Sequence, residues 1–248
     1  MARLLKALPL TLALVALVAI TIATISCGST GTAQVRVINA IPDATSALDV
    51  DFNGVATITK LAFGTVDPTP TSPAAYLSAT AGTVTVQAFY TGQTVNPILE
   101  PTTATLTGGD QYTVLLAGFV TSPPSAYLIS DDNQAPTANT VKFRVINASA
   151  SSSEQYPGGF DIYILPPGQS ISGIPQIPGL TLGQTGPGYV AFNYSSSYTV
   201  WVTAHKSTLP LLSTTYPQKN PQITTLVIVD QSNGATFSQT MLPLIDLQ

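Results

Sequence analysis

Apolar residues recur at every second position over short stretches, and turn residues separate those stretches. Leu48-Asp49-Val50-Asp51-Phe52 alternates apolar with acidic residues and runs into Asn53-Gly54. An alternating strand that ends in Asn-Gly is a strong hairpin signal, because both turn residues tolerate positive φ. Gln34–Ala40, Gly82–Phe89 and Gln111–Gly118 read as strands of the same kind. Tyr127–Ile129 reads as a short final strand, and Leu61–Val66, Ala75–Leu77 and Thr105–Thr107 as short connecting ones. Short strands at intervals of roughly 10 residues with turns between them predict a sandwich. Amphipathic helical patterns are absent after residue 26.

The pattern restarts. Arg36-Val37-Ile38-Asn39-Ala40 reads R-V-I-N-A, and so does Arg144-Val145-Ile146-Asn147-Ala148. Phe160–Leu165 then stands where Leu48–Phe52 stood, with Asp161 in the place of Asp49. Tyr189 corresponds to Tyr76, Tyr198–Ala204 to Val84–Phe89, and Thr224–Asp230 to Gln111–Ala117. The second copy is divergent: it has longer loops at Ser149–Gly159 and Pro166–Pro187, and its closing strand within Thr236–Leu247 is expected to split at Pro243. The fold class expected is all-β, two tandem Ig-like β-sandwich domains over residues 34–133 and 141–248. A short linker, 134–140, is expected to hold them end to end with limited reorientation.

Composition agrees with that class and narrows the function. Only 8% of residues are charged, against roughly 25% in an ordinary soluble domain, so the surface must be largely Ser, Thr, Asn and Gln. All 12 acidic residues lie after residue 26, while two of the 8 basic ones, Arg3 and Lys6, lie before it. No basic cluster supplies the positive footprint that nucleic-acid binding needs. The single cysteine, Cys27, excludes an intrachain disulfide.

Cys27 sits at an informative place. Arg3 and Lys6 are followed by the uncharged run Ala7–Ser26, then by Cys27 and Gly28-Ser29-Thr30-Gly31-Thr32. This order is that of an export signal. It resembles a bacterial lipoprotein signal peptide, spanning residues 1–26, in which Cys27 becomes the lipidated first residue, followed by a flexible spacer to residue 33. Several acyl chains on one residue give stable anchoring where one would be marginal. Thr24 departs from that motif, which usually has Leu there. The run is also long enough for an uncleaved anchor, and an ordinary cleaved signal is the third reading. Each places the rest of the chain outside the cytoplasm. Gly28 stands where an inner-membrane retention Asp would be, which favours the outer membrane where there are two.

Beyond the signal, R-V-I-N-A-x-P-D-A, D-V-D-F-N-G, F-G-T-V, a tyrosine, A-G-T-V-T-V and G-G-D-Q-Y-T-V-L-L-A-G follow one another from Gln34 to Asn133. In order and spacing they resemble the DUF4397 family, a domain of unknown function in bacterial surface and exported proteins. Asp131-Asp132-Asn133 with Ala135-Pro136 resembles that family's exit from one domain copy to the next. The resemblance implies no catalytic residues and no cofactor.

The residues that could carry chemistry each have a plainer role open to them. Asp49-x-Asp51-x-Asn53-Gly54 matches the start of a calcium loop, but the twelfth position, where a bidentate Glu belongs, is Lys60. His205 is the only histidine; no G-x-S-x-G elbow, metal-ligand spacing or phosphate loop accompanies it. Asn147-Ala148-Ser149 and Asn193-Tyr194-Ser195 match the N-glycosylation triplet, idle behind a bacterial signal. Tyr76, Tyr90, Tyr112, Tyr127, Tyr189, Tyr194, Tyr198 and Trp201 are expected in the sandwich cores, Trp201 included, with a sugar or peptide groove as the competing role. Arg36 and Arg144 must face away from their apolar neighbours, and Asp49 and Asp161 on the next strands are their expected partners in exposed pairs. The function expected is a lipid-anchored, envelope-exposed, non-enzymatic structural or binding module. Glycans or neighbouring envelope proteins are its expected partners, besides the membrane through Cys27. Glycan processing is the alternative.

Overall fold

The computed structural model describes residues 31–69, 74–231 and 238–247. The signal run and Cys27 lie outside them. The chain is nearly all β, as its alternation predicts. The first half comprises β1 (Thr32–Ala40), β2 (Leu48–Phe52), β3 (Val55–Leu61), β4 (Thr65–Asp67), β5 (Leu77–Thr80), β6 (Gly82–Tyr90), β7 (Leu99–Leu106), β8 (Gln111–Phe119) and β9 (Ser122–Asp131). The second comprises β10 (Thr140–Asn147), one helical turn α1 (Ser152–Gln155), β11 (Phe160–Leu165), β12 (Ile177–Leu180), β13 (Val190–Asn193), β14 (Ser197–Ala204), β15 (Pro210–Pro217), β16 (Gln222–Asp230) and β17 (Gln239–Leu247).

Both halves build the same pair of sheets. In the first, one sheet runs β4-β1-β8-β9, with β5 also on β1, and the other runs β3-β2-β6-β7. In the second they run β13-β10-β16-β17 and β12-β11-β14-β15. The opening strand of each half pairs in parallel with a late one, β1 with β8 and β10 with β16. Odd-numbered residues of β1, such as Val35 and Val37, pack on the β3-β2-β6-β7 sheet in a core with Val50, Val86 and Val114. Val141, Phe143 and Val145 do the same against Ile162, Val200 and Val202. Each half is therefore a β-sandwich with its own core.

A third core joins them. Ile38, Ala40, Leu115, Ala117 and Ile129 of the first half pack on Ile146, Ala148, Val227, Val229 and Leu244 of the second. The sheets of β1 and β10 are thus buried on both faces, and the molecule is stacked outer sheet, inner sheet, inner sheet, outer sheet. This overturns the end-to-end expectation. The cause is legible in β8 and β16: Thr113–Ala117 and Thr224–Val229 are buried at consecutive positions, the continuous pattern of a strand covered on both sides. A free inner sheet would expose that apolar face to water, so the halves close over it.

Two local expectations are also corrected. Thr32 and Ala33 are not spacer; they belong to β1 and pair with Thr80 and Ala79. The last strand is not split, because β17 is an edge strand, where Pro243 can stand opposite Leu226 without costing a ladder bond on its free side.

Candidate functional site

The third core ends in a cluster of charge. On the inner face of β1, Arg36 lies two residues before Ile38; on β10, Arg144 lies two before Ile146. Arg36 is 3% exposed and Arg144 0%. Arg36 Nη1 donates to Asp246 Oδ1 at 2.6 Å, across to the second half. Arg144 Nη1 donates to Asp131 Oδ1 at 2.7 Å, across to the first. Each guanidinium is braced within its own half. Arg36 Nε donates to Thr113 Oγ1 at 2.9 Å, and Arg144 Nε to Thr225 Oγ1 at 3.1 Å. Those hydroxyls donate onward to Asp131 and Asp246 respectively. Tyr76 gives its hydroxyl hydrogen to Asp131 and stacks on Arg36, with 5.2 Å from the guanidinium carbon to the ring centre. Tyr189 does the same for Asp246 and Arg144, at 4.5 Å.

The contact is thus isologous in form: Arg36, Thr113, Asp131 and Tyr76 exchange with Arg144, Thr225, Asp246 and Tyr189. Two arginines and two aspartates leave it neutral, which is the condition for burying charge. Burial alone acts to discharge Arg36, but Asp246 and then Asp131 outweigh it, and its pKa is raised. Burial likewise opposes ionisation of Asp131, yet Arg144, then Arg36, hold its carboxyl below the usual range. Burial also raises the hydroxyls of Tyr76 and Tyr189, so both stay protonated donors. Arg36 Nη2 lies 3.2 Å from Asp131 Oδ2, near enough for charge but out of line for a hydrogen bond. It and Arg144 Nη2 lack a hydrogen-bond partner among the described residues.

The expected pairs Arg36–Asp49 and Arg144–Asp161 do not form. The arginines face inward onto the other half, while both aspartates lie on outer sheets and bind backbone. Asp49 accepts from the Lys60 and Gly92 amides, each at 2.9 Å, and from the Thr91 hydroxyl. Asp161 accepts from the Gly179 and Lys206 amides, each at 2.8 Å, and from the His205 ring. Lys60, Gly92, Gly179 and Lys206 all have positive φ, so each carboxylate clamps two left-handed turns. In both, burial works against the charge and these hydrogen bonds overcome it, lowering the pKa.

The same geometry bears on the other candidates. Asp49 is committed to amides, and Asn53, in the hairpin turn, accepts from the Thr85 amide of β6 at 2.8 Å, so two of the three calcium candidates are spent on backbone groups. Among the described residues, Asp161 is the one hydrogen-bond partner of the His205 ring, and no serine joins the pair. Asn147 is fully buried, so the first glycosylation triplet has no accessible acceptor. Instead Asn39 and Asn147 tie loops in the same way. Each donates to a carbonyl, Leu61 or Leu180, and accepts the amide two residues on, Ile41 or Ser149. Trp201 is not core: Val200 and Val202 point inward, and Trp201 lies opposite Tyr163 on the outer face.

At that same place the first half is open. Asp51 pairs in register with Gln87 as Tyr163 does with Trp201. Asp51, Gln87, Phe89, Gln93, Val95 and Pro97 line a cavity of about 490 Å³. Burial, with Asp49 second, raises the Asp51 pKa.

The partners of the arginines escape sequence reading, which assigns Asp131 to the domain exit and leaves Asp246 unassigned. The available signal was strand phase. Asp131 is in phase with Ile129, Asp246 with Leu244, and Thr113 with Leu115, all on faces that are apolar elsewhere.

No curated protein matches the chain. Two solved structures align along most of it at 9% identity. One is described as "Alpha-glucan binding by a streptococcal virulence factor", with a TM-score of 0.26, covering 84% of this chain and 96% of that one. The other, "Product complex of a multi-modular glycogen-degrading pneumococcal virulence factor SpuA", has a TM-score of 0.25 and covers 83% of this chain and 21% of that one. At these scores neither bears on the fold or on what this chain binds. Residues 33–154, from β1 through β10 to α1, match the family described as "Domain of unknown function (DUF4397)".

Proposed function

We propose that the protein is a lipid-anchored, non-enzymatic display module of a bacterial envelope, with its second half a divergent copy of the domain that begins at β1. The observation that carries the non-enzymatic reading is where the ionisable side chains are spent. Arg36, Arg144, Asp131 and Asp246 hold the halves together, and Asp49 and Asp161 hold turns. His205 is turned onto Asp161 rather than toward a nucleophile. The inner faces are consumed by each other, so contact with other molecules falls to the outer sheets and their loops. The groove at Asp51 and Gln87 supports a binding role there, for a glycan or a neighbouring envelope protein. Its volume falls in the range of small-ligand sites.

Anchoring rests on the order of charge, apolar run and Cys27. Mass spectrometry of the mature N-terminus from a bacterial host tests it. The expected first residue is an acylated Cys27, favoured for outer-membrane sorting by Gly28. An unmodified peptide spanning Ser26 and Cys27 would refute the lipid anchor.

A further inference from the structure

We infer that the inner faces are a homotypic docking surface, and that a second copy of this chain is a fitting partner, joined by exchange of halves. Three observations lead there. First, the ion pairs between the two inner faces are made by a residue of one half to its counterpart set in the other: Arg36 to Asp246, and Arg144 to Asp131. Nothing in that contact requires the two halves to come from one chain. Second, each half has a core of its own, separate from the core that joins them, so a half can leave as a unit. Third, the covalent tie is only the segment from Asp132 to Asn139, between β9 and β10. Its main side-chain tie to the second half is the Lys142–Asp132 pair, with Asp132 55% exposed.

Exchange of identical elements through a short hinge is a low-cost route to a closed dimer. Here it rebuilds both interfaces with every native contact. In the single chain the second half is presented at an effective concentration in the millimolar range, which favours the closed monomer. Crowding of copies on one surface shifts the balance to exchange, because bond types and number are unchanged and only the tether differs. The exchanged dimer does not depend on the anchor at Cys27; with that anchor it would carry two lipid attachments instead of one.

Complementary charge reversals test this in the full-length chain. Arg36→Asp alone leaves three acids facing Arg144, and Asp246→Arg alone leaves three bases facing Asp131. Each variant by itself is expected to lose about 10 °C of thermal midpoint. In an exchanged pair, one interface is fully native and the other joins Asp at 36 to Arg at 246. Co-expressed with different affinity tags, the two variants should therefore co-purify as a one-to-one complex in native mass spectrometry, with the midpoint restored. Recovery of only the two separate destabilised chains overturns the proposal.

A second arm shortens the hinge. Deleting residues 132–138 leaves Asn139 alone between β9 and β10. Its two Cα steps reach roughly 7–8 Å, short of the roughly 10 Å between packed sheets. The shortened chain is expected to be a stable dimer by light scattering, dispersed again by Arg36→Asp. A folded monomer, or a dimer indifferent to Arg36→Asp, sinks the idea.

Discussion

The inner faces of the two halves are near copies; the outer faces are not. Inside, Arg36, Ile38, Thr113 and Tyr76 find Arg144, Ile146, Thr225 and Tyr189 at corresponding positions, with corresponding bonds. Outside, Asp51 and Gln87 stand where Tyr163 and Trp201 stand, so the positions that line a groove in the first half carry aromatic side chains in the second. The difference is physical. An inner residue has two sets of neighbours, its own sandwich and the opposing half, so a change on one side must be matched on the other. An outer-face residue does not meet the other half, so it can change without a matching change there.

If that account is right, the largest effects lie at the buried charges, and they should be symmetric. Arg144→Ala leaves Asp131 and Asp246 buried with one arginine between them, and Arg36→Ala does the same. Each is expected to cost about 3–5 kcal/mol, the range for removing one partner of a buried pair, read from denaturant midpoints. A large loss for one and none for the other would break the symmetry. The pH dependence has a definite sign. The folded pKa of Asp131 is depressed, so its contribution is fully present above the unfolded carboxyl value of about 3.9 and is lost as pH falls through the folded value. Denaturant midpoints should hold near pH 5 and drop below about pH 4. Asp131→Asn should be less stable at pH 6 and should flatten that drop.

Next come the apolar contacts of the joining core. Leu115 and Val227 are fully buried between the inner sheets. Leu115→Ala is expected to cost about 2–5 kcal/mol and Val227→Ala somewhat less. The same truncation at exposed Val55 or Val95 should fall within about 0.5 kcal/mol. Comparable losses inside and outside would mean that the joining core contributes little.

How much of this could be read from the sequence follows the same division. Strand phase in Leu48–Phe52 and Gly82–Phe89 was legible because one face of an outer strand meets water and the alternation survives. Arg36 was correctly turned away from Val35 and Val37. What its far side meets was not legible in β1 alone, because Asp246 lies at the other end of the chain. The clue was present in β8 and β16, whose consecutive apolar residues need cover on both faces. The correspondence of Thr224 with Gln111 is one residue out of phase. The parallel registers place Thr113 beside Arg36 and Thr225 beside Arg144, and a slip of one residue turns every side chain to the wrong sheet. β3, β7 and β15 are weakly patterned edge strands, and β3 and β15 are largely exposed, so periodicity had little to report there.

Asn39 and Asn147 sharpen the comparison at smaller scale. Both are fully buried and each satisfies a carbonyl and an amide. Asn39→Ala or Asn147→Ala strands those backbone groups, and each is expected to cost about 1–3 kcal/mol. Asn147 also donates to the Ser152 hydroxyl at 3.0 Å, so its loss should be the greater of the two. Equal losses would show that the hydroxyl adds nothing.

The smallest expected effect bears most directly on why the outer faces differ. Asp51→Tyr with Gln87→Trp transplants the outer pair of the second half onto the first. The backbone already supplies the register, since both pairs are direct neighbours on antiparallel strands. The exchange removes a carboxylate whose pKa is raised, first by burial and then by Asp49. A raised carboxyl disfavours the fold above its own pKa, so removing it should help at neutral pH and matter little in acid. Aromatic cross-strand pairs contribute roughly 0.2–1 kcal/mol, so the double variant should be more stable than the natural chain by about that amount. It should also fill the groove and abolish whatever binds there. A gain in stability with loss of binding would mean that the first half keeps its open polar groove at a cost in stability, for the sake of the ligand. A loss of stability would mean that the two outer sheets differ in shape as well as in side chains, and that the groove is a consequence of packing.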